Sequence, residues 1–189
     1  FRFEKNKLPL IGDDVMSQIG GTVLHKNILE FLTSRGVKIN QTYQLDTGGG
    51  MENFNTLDPP VKILKKNIKT EAVKSSLPYE VEVVAGTTDY VDFMKNQRAS
   101  YYWISGKYFL DTTMEIDIVL RTLDAPNSGA ILMDSVRAAR IALQRGMGGP
   151  LTSVCVYGYK RPPIKEGEKP SLQEAHKAFL EFIEEKRAR

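Results

Sequence analysis

Thiols, imidazoles and long apolar runs are scarce in this chain. Its 189 residues hold one cysteine, Cys155, and two histidines, His25 and His176. One thiol closes no internal disulfide, and these three side chains cannot build a zinc centre of the usual spacing. A lone cysteine fits a reducing, cytoplasmic setting. No apolar run approaches the roughly 18 residues of a bilayer span, and no stretch has the layout of a secretory leader. The net charge of +3 comes from dispersed lysines, so neither nucleic acid nor a membrane surface is an expected partner. No GxGxxG follows a strand pattern, so the chain carries no dinucleotide fingerprint of its own.

What remains is a composition able to build a core, with 41% hydrophobic residues and a mean hydropathy of −0.30. That suits one sizeable domain, or a domain with a packing appendage. The opening "FRFEKNKLPLIGDD" reads as the continuation of sequence upstream. Ile19, Val23, Leu24, Ile28, Phe31 and Leu32 recur at helical spacing, with Gly36 as C-cap. Alternation predicts strands over 37–45, 79–86, 100–106 and 113–123, antiparallel with one wet face, and a last strand over 151–159. "MENFNTL" reads as a short helix, and a longer helical period runs from Asn127 through Leu143 to "GMGG". After a solvated connection over 160–170, Ser171 and Glu174 stand at capping-box spacing before a helix with Leu172, Ala175, Phe179, Phe182 and Ile183 on one face. The fold class is α+β: an open, largely antiparallel or mixed sheet with helices on one face.

Four polar groups invite chemistry. In "GDDVMSQIGGT", Asp13 or Asp14 caps the first long helix, or the segment with Ser17, Gln18 and its glycines binds an anion. In "YQLDTGGGMENFN" the glycines form a turn of positive φ or let a ligand approach the backbone; Asn53 stands where a dinucleotide loop needs its third glycine, and no βαβ unit of the required length is read around it. In "KILKKNIK", Lys65 and Lys69 are four apart, on one helix face, where they repel by a few tenths of a kcal/mol unless an anion sits between them. In "YGYKRPP", Lys160 closes the expected last strand, either as a site residue or as a loop lysine. Cys155 reads as packing, and His25 is given no chemical role.

The order and spacing of "GDDVMSQIGGT", "YQLDTGGGMENFN", "KKNIKTEAV", "TTDYVDF", "LDAPNSGAILMDSVRAARIAL" and "YKRPP" resemble the myo-inositol-1-phosphate (inositol-3-phosphate) synthases of archaeal and bacterial type, over about residues 9 to 165. The resemblance implies an isomerase with tightly bound NAD that oxidises C5 of glucose 6-phosphate, removes a proton from C6, closes the ring onto C1 and returns the hydride. Asp14 then matches an acid near nicotinamide and the reacting hydroxyl. Lys65 matches the lysine at the C5 oxygen, Lys69 the one at the phosphate, and Lys160 the one beside the C1 and C5 oxygens. Asp124 matches a catalytic and cofactor-side acid, while Ser17, Gln18, Lys69 and Arg98 match phosphate-side positions. Gly49 and Glu52 fall in the glycine loop expected on the cofactor side. Repulsion between closely spaced lysines is expected to lower an amine's pKa toward neutrality.

The chain departs from the family pattern at Met16 and Arg98, where lysines are usual, and at Gly50 and Glu52, where Asn and Asp are usual. Arginine keeps the charge at 98 but shuttles no proton. The family's nucleotide-binding half has no counterpart here, so the expected organisation is a dehydrogenase-type catalytic and tetramerisation domain over 1–126. C-terminal elements over 127–189 would pack on a nucleotide-binding domain in the same or a separate chain. Such a chain alone is expected to be inactive. A homotetramer is expected by analogy, and a divalent metal is left open. The alternatives are a sugar-phosphate binding module that has lost its redox domain, and an assembly scaffold.

Overall fold

The computed structural model describes residues 2–164, 167, 168 and 170–184. In chain order its elements are α1 (Arg2–Lys5), β1 (Pro9–Leu10), α2 (Gly21–Ser34), β2 (Lys38–Gly48), α3 (Met51–Asn55) and α4 (Pro59–Lys74). There follow β3 (Glu82–Tyr90), β4 (Gln97–Lys107), β5 (Thr113–Leu123), α5 (Asp124–Gln144), β6 (Gly149–Pro150), α6 (Thr152–Gly158) and α7 (Leu172–Glu184). The chain is α+β and divides into two compact units, residues 19–127 and residues 2–18 together with the described residues from 128 on.

The 19–127 unit is a four-stranded mixed sheet in the order β3-β2-β4-β5. β2 pairs β3 in parallel and β4 antiparallel, and β4 pairs β5 antiparallel. The mixed sheet agrees with the expected fold class, while the parallel pair corrects the reading of these strands as antiparallel throughout and the expected lack of a βαβ unit. A parallel neighbour requires a crossover, and α3 and α4 supply it between β2 and β3. Asp58 ends the preceding turn, and Pro59 and Pro60 pre-set α4's first turn, where a missing N–H costs no helical bond.

β5 alternates exposed and half-buried residues along all 11 positions, and its bounds are those expected. On the inner face Leu29 and Leu32 of α2, Val73 of α4, Ile39, Val83, Ala85 and Ile104 form the core. Burying one such side chain stabilises by about 1.5–3 kcal/mol. Further along the same face, in register, the residues become polar: Gln44, Asp46, Thr87, Ser100 and Arg98. The opposite face leaves Tyr43, Val84, Tyr101 and Val119 exposed, with Tyr43 stacked on Trp103.

α2 starts later than the sequence suggests. Its N-cap is Gly20, without a side-chain cap, so Asp13 and Asp14 are not caps. A Cβ on Gly21 would lie 2.1 Å from Gln44 Nε2 and 3.0 Å from Asp46 Oδ1, so the helix end presses onto β2 and a side chain at 21 would displace the Gln44 amide. Gly36, at φ +81°, ends the helix as expected.

In the other unit, Pro9–Leu10 pairs in parallel with Gly149–Pro150. Ala138 and Ala142 of α5, Leu151, Val154 of α6 and Phe179 of α7 make its core. Residues 152–158 are helical, which corrects the expected strand over 151–159. Leu151, Val154, Cys155 and Gly158 fall at helical spacing and are buried, so packing overrides the β-propensity of Val and Tyr. The capping box forms as expected: the Glu174 carboxylate accepts from Ser171 N at 2.8 Å, and Glu174 N donates to Ser171 Oγ at 3.2 Å. The connection read as solvated over 160–170 lies partly outside the described residues.

Candidate active site

The polar end of the inner sheet face, where β2 and β3 finish, gathers six charged side chains within the 19–127 unit. Open α/β sheets bind ligands at such carboxyl ends of parallel strands. Lys69 lies on the buried stripe of α4 with Ile68, Ala72 and Val73 and is 2% exposed. An ammonium there needs acceptors, and it donates to Asp46 Oδ2 at 2.8 Å and Thr87 Oγ1 at 3.1 Å, with Glu52 Oε1 at 3.5 Å. Asp46, 1% exposed, also accepts both its oxygens' worth of contact from Gln44 Nε2, at 2.9 and 3.0 Å.

One turn earlier on α4, Lys65 places its ammonium 3.9 Å from the same Glu52 oxygen. The anion between the two lysines, the condition under which such a pair is tolerated, is therefore Glu52. Arg98 Nη2 donates to the other Glu52 oxygen and, at 3.3 Å, to Asn53 Oδ1. Its Nη1 faces Asp124 Oδ1 at 3.1 Å. Three acids and three bases thus neutralise one another.

The electrostatics correct one expectation. Burial disfavours the Lys69 charge, but Asp46 and Glu52 outweigh it and hold the amine above its ordinary pKa. Lys69 is a fixed cation, not an amine brought to neutrality by its neighbour. Burial likewise works against the Asp46 carboxylate, and Lys69 and Arg98 reverse it, so Asp46 titrates below the usual range. Asp124 goes the other way: burial and the Glu52 charge exceed the pull of Arg98 and raise it. Beside the cluster His25 is buried, with Nε2 2.7 Å from Thr42 Oγ1, and burial lowers its pKa to about 4.

The glycine loop owes its composition to close approach, not positive φ. None of Gly48, Gly49 and Gly50 has a left-handed φ, but a Cβ on Gly49 would meet the Lys95 backbone N at 2.4 Å. Asn53, at the position of a third glycine, is buried and donates to the Asp89 carbonyl at 2.9 Å. A βαβ unit is present, yet this packed loop offers no cradle for a pyrophosphate.

Asp14 and Lys160 meet within the other unit. Residues 13–16 run antiparallel to 158–161, with Lys160 N on Asp14 O at 2.9 Å and Met16 N on Gly158 O at 2.7 Å. Lys160 Nζ donates to Asp14 Oδ1 at 3.1 Å and to Val15 O at 2.9 Å, and the lysine is 9% exposed. It follows a helix rather than a strand. Asp14 holds a left-handed φ of 60°, and Asp13 pairs with Arg161 at 3.0 Å. Ser17 Oγ lies 3.2 Å from Ser128 Oγ, and Gln18 is exposed. Neither is in α2, so they do not form the start of that helix. Met16 is fully buried. Cys155 is buried on α6, and burial raises its thiol pKa, as a packing residue requires.

With this geometry in hand, the family model described as myo-inositol-1-phosphate synthase matches residues 20–125, which contain the whole six-residue cluster. The chain belongs to the myo-inositol-1-phosphate synthase family. It is 36% identical over 165 residues to the inositol-3-phosphate synthase of Mycobacterium tuberculosis, covering 86% of this chain and 45% of that protein. Against the inositol-3-phosphate synthase of Corynebacterium glutamicum it is 36% identical over 170 residues, covering 86% and 47%. A myo-inositol-1-phosphate synthase-related protein from Thermotoga maritima superposes with a TM-score of 0.80 at 25% identity, over 96% of this chain and 46% of that one. The Caenorhabditis elegans inositol-3-phosphate synthase shares the fold, with a TM-score of 0.71 at 15% identity over 95% of this chain and 38% of that one. The chain spans about half the length of the curated synthases it matches.

Asp46, Gln44, Thr87 and Asn53 escaped the sequence reading of the site. The available signal was in β2, where Thr42, Gln44 and Asp46 put polar residues on successive inward positions.

Proposed function

We propose that the chain is the substrate-binding half of an NAD-dependent isomerase that converts glucose 6-phosphate to 1L-myo-inositol 1-phosphate for inositol and phospholipid synthesis. The observation that carries the reading is the convergence of Lys65, Lys69 and Arg98 on one carboxylate at the carboxyl end of β2 and β3, inside the segment that matches the family. Lys69 and Arg98 supply fixed positive charge for the phosphate side. Lys65, with a side chain 28% exposed, is the amine available to the C5 oxygen. In the other unit, the family resemblance assigns Lys160, oriented by Asp14, to the C1 and C5 oxygens, and Ser17 and Gln18 to the phosphate. Asp124, which burial and the Glu52 charge hold above the usual carboxylate range, is the cluster's acid placed to exchange a proton with the substrate.

NAD, when bound, supplies the hydride acceptor and returns the hydride. The packed glycine loop does not suit its pyrophosphate, so in this reading a domain outside this chain holds the dinucleotide, and Gly49 and Asp124 serve only its reactive end, a role the family resemblance also gives to Asp14. An apolar stripe on α5, Leu132, Val136 and Leu143, each about half exposed or more, supports packing of the 127–189 elements on that domain. The exposed Tyr43, Val84, Tyr101 and Val119 support a homotetramer built over the open sheet face. No helix among the described residues is long and apolar enough to cross a membrane, and no described group of three or more His, Cys, Asp or Glu could hold a metal.

Calorimetric titration with glucose 6-phosphate, with and without NAD, tests the proposal. Binding that depends on NAD supports the enzyme half. Tight binding without NAD supports the second reading, a sugar-phosphate binding module, which the loop's lack of a pyrophosphate cradle favours.

A further inference from the structure

Glu52 sits where a ligand's anion would be best held. Among the described residues its carboxylate is the one acid that reaches Lys65, Lys69 and Arg98 together. Asp46 is locked in β2 between Lys69 and Gln44, and Asp124 reaches only Arg98 among the cluster's ion pairs. Glu52 stands instead on α3, a single turn of helix, with its side chain 24% exposed. Next to it Gly50 leaves open space: a Cβ there would meet only Asp124 Oδ2, at 4.0 Å.

Arg98 carries the second observation. It is 8% exposed, and its Nε is buried with no hydrogen-bond partner among the described residues. The Nε and Nη2 hydrogens of a guanidinium form one edge, built to take two oxygens of one anion side by side. Glu52 uses only the Nη2 half of that edge. A buried donor left unmade is costly, and it points to an acceptor that arrives from outside.

We propose that the Glu52 carboxylate is a built-in stand-in for the ligand's anion: it holds the anion seat of the cluster in the free protein and yields it to a phosphoryl group that takes both Nε and Nη2 of Arg98. This rests on the reading of the cluster as the phosphate side of the site. With Glu52 in place the six charges sum to zero, and with it displaced they sum to +1, so the seat attracts an anion only as Glu52 leaves. Arginine at 98 is what makes the two-point seat; a lysine would offer one point charge.

The test is calorimetric titration of the full-length protein with inorganic phosphate. Glu52→Gln is expected to bind phosphate about tenfold tighter than the parent, the factor attached to one charge-assisted contact. Arg98→Lys is expected to bind it more weakly. In the unaltered protein, phosphate is expected to shift the Arg98 Nε–H resonance downfield, an arm that holds even if a variant fails to fold. Unchanged or weaker binding by Glu52→Gln, or an Arg98 signal indifferent to phosphate, overturns the proposal. Lys65→Ala separates the two levels. If it weakens phosphate binding while Glu52→Gln changes nothing, the cluster is an anion site and the role of Glu52 is refuted. If parent, Lys65→Ala and Glu52→Gln bind phosphate alike or not at all, the reading of the cluster falls with it.

Discussion

Replacing Asp46 with asparagine probes the cluster where its energetics are simplest. Asp46 and Lys69 are both buried, joined at 2.8 Å, and each holds the other in its charged form. Removing one partner of a buried pair costs about 3–5 kcal/mol, because the remaining charge stays desolvated. Here the lower end applies, about 3 kcal/mol. The new amide oxygen can still accept from Lys69, and Glu52 remains 3.5 Å away. Trp103, the only tryptophan, lies in β4 of the same unit and reports its unfolding. In urea the fluorescence midpoint should fall by roughly 1–3 M. The double variant Asp46→Asn with Lys69→Met leaves no buried charge unpaired and should return to within about 1 kcal/mol of the parent. A loss below about 1 kcal/mol for the single variant, or a double variant no more stable than the single, refutes the assignment of a tight buried pair.

Three further outcomes follow from the same geometry. The native state keeps His25 neutral down to about pH 4 while the unfolded chain protonates it near 6.5. The unfolded state therefore binds more protons between these values, and stability should fall with acidification by about 3 kcal/mol over that window; His25→Gln should flatten this slope in urea titrations at several pH values, and an unchanged slope contradicts it. Gly49→Ala forces a Cβ to 2.4 Å from Lys95 N and should destabilise by about 3 kcal/mol or more, read from the Trp103 transition. Ser171→Ala removes the capping box of α7 and should cost about 1 kcal/mol, read from thermal unfolding by circular dichroism.

The sequence made legible those features that repeat with a period. β5 alternates without interruption and its limits agree to the residue, and α7 announces its start through Ser171 and Glu174. Residues 151–159 were misread because seven helical residues are too few for a period to separate helix from strand, and β-branched composition tipped the reading the wrong way. The parallel β2–β3 pair was hidden because strand pairing depends on the crossover, not on either strand's pattern. At the site, the spacing of Lys65 and Lys69 revealed their shared face but not that Lys69 is sealed inside it. Its partner Asp46 lies 23 residues earlier on a different element, so neither the ion pair nor the raised amine pKa was visible in the spacing.

The central claim, that this chain supplies the substrate-side residues of an inositol phosphate synthase, is tested most directly by phosphorus NMR of glucose 6-phosphate incubated with the natural full-length protein and NAD. Conversion to inositol 1-phosphate is expected, lost when Lys65 or Lys160 is replaced by alanine. Near-normal turnover in both variants, or no conversion by the unaltered protein, contradicts the account.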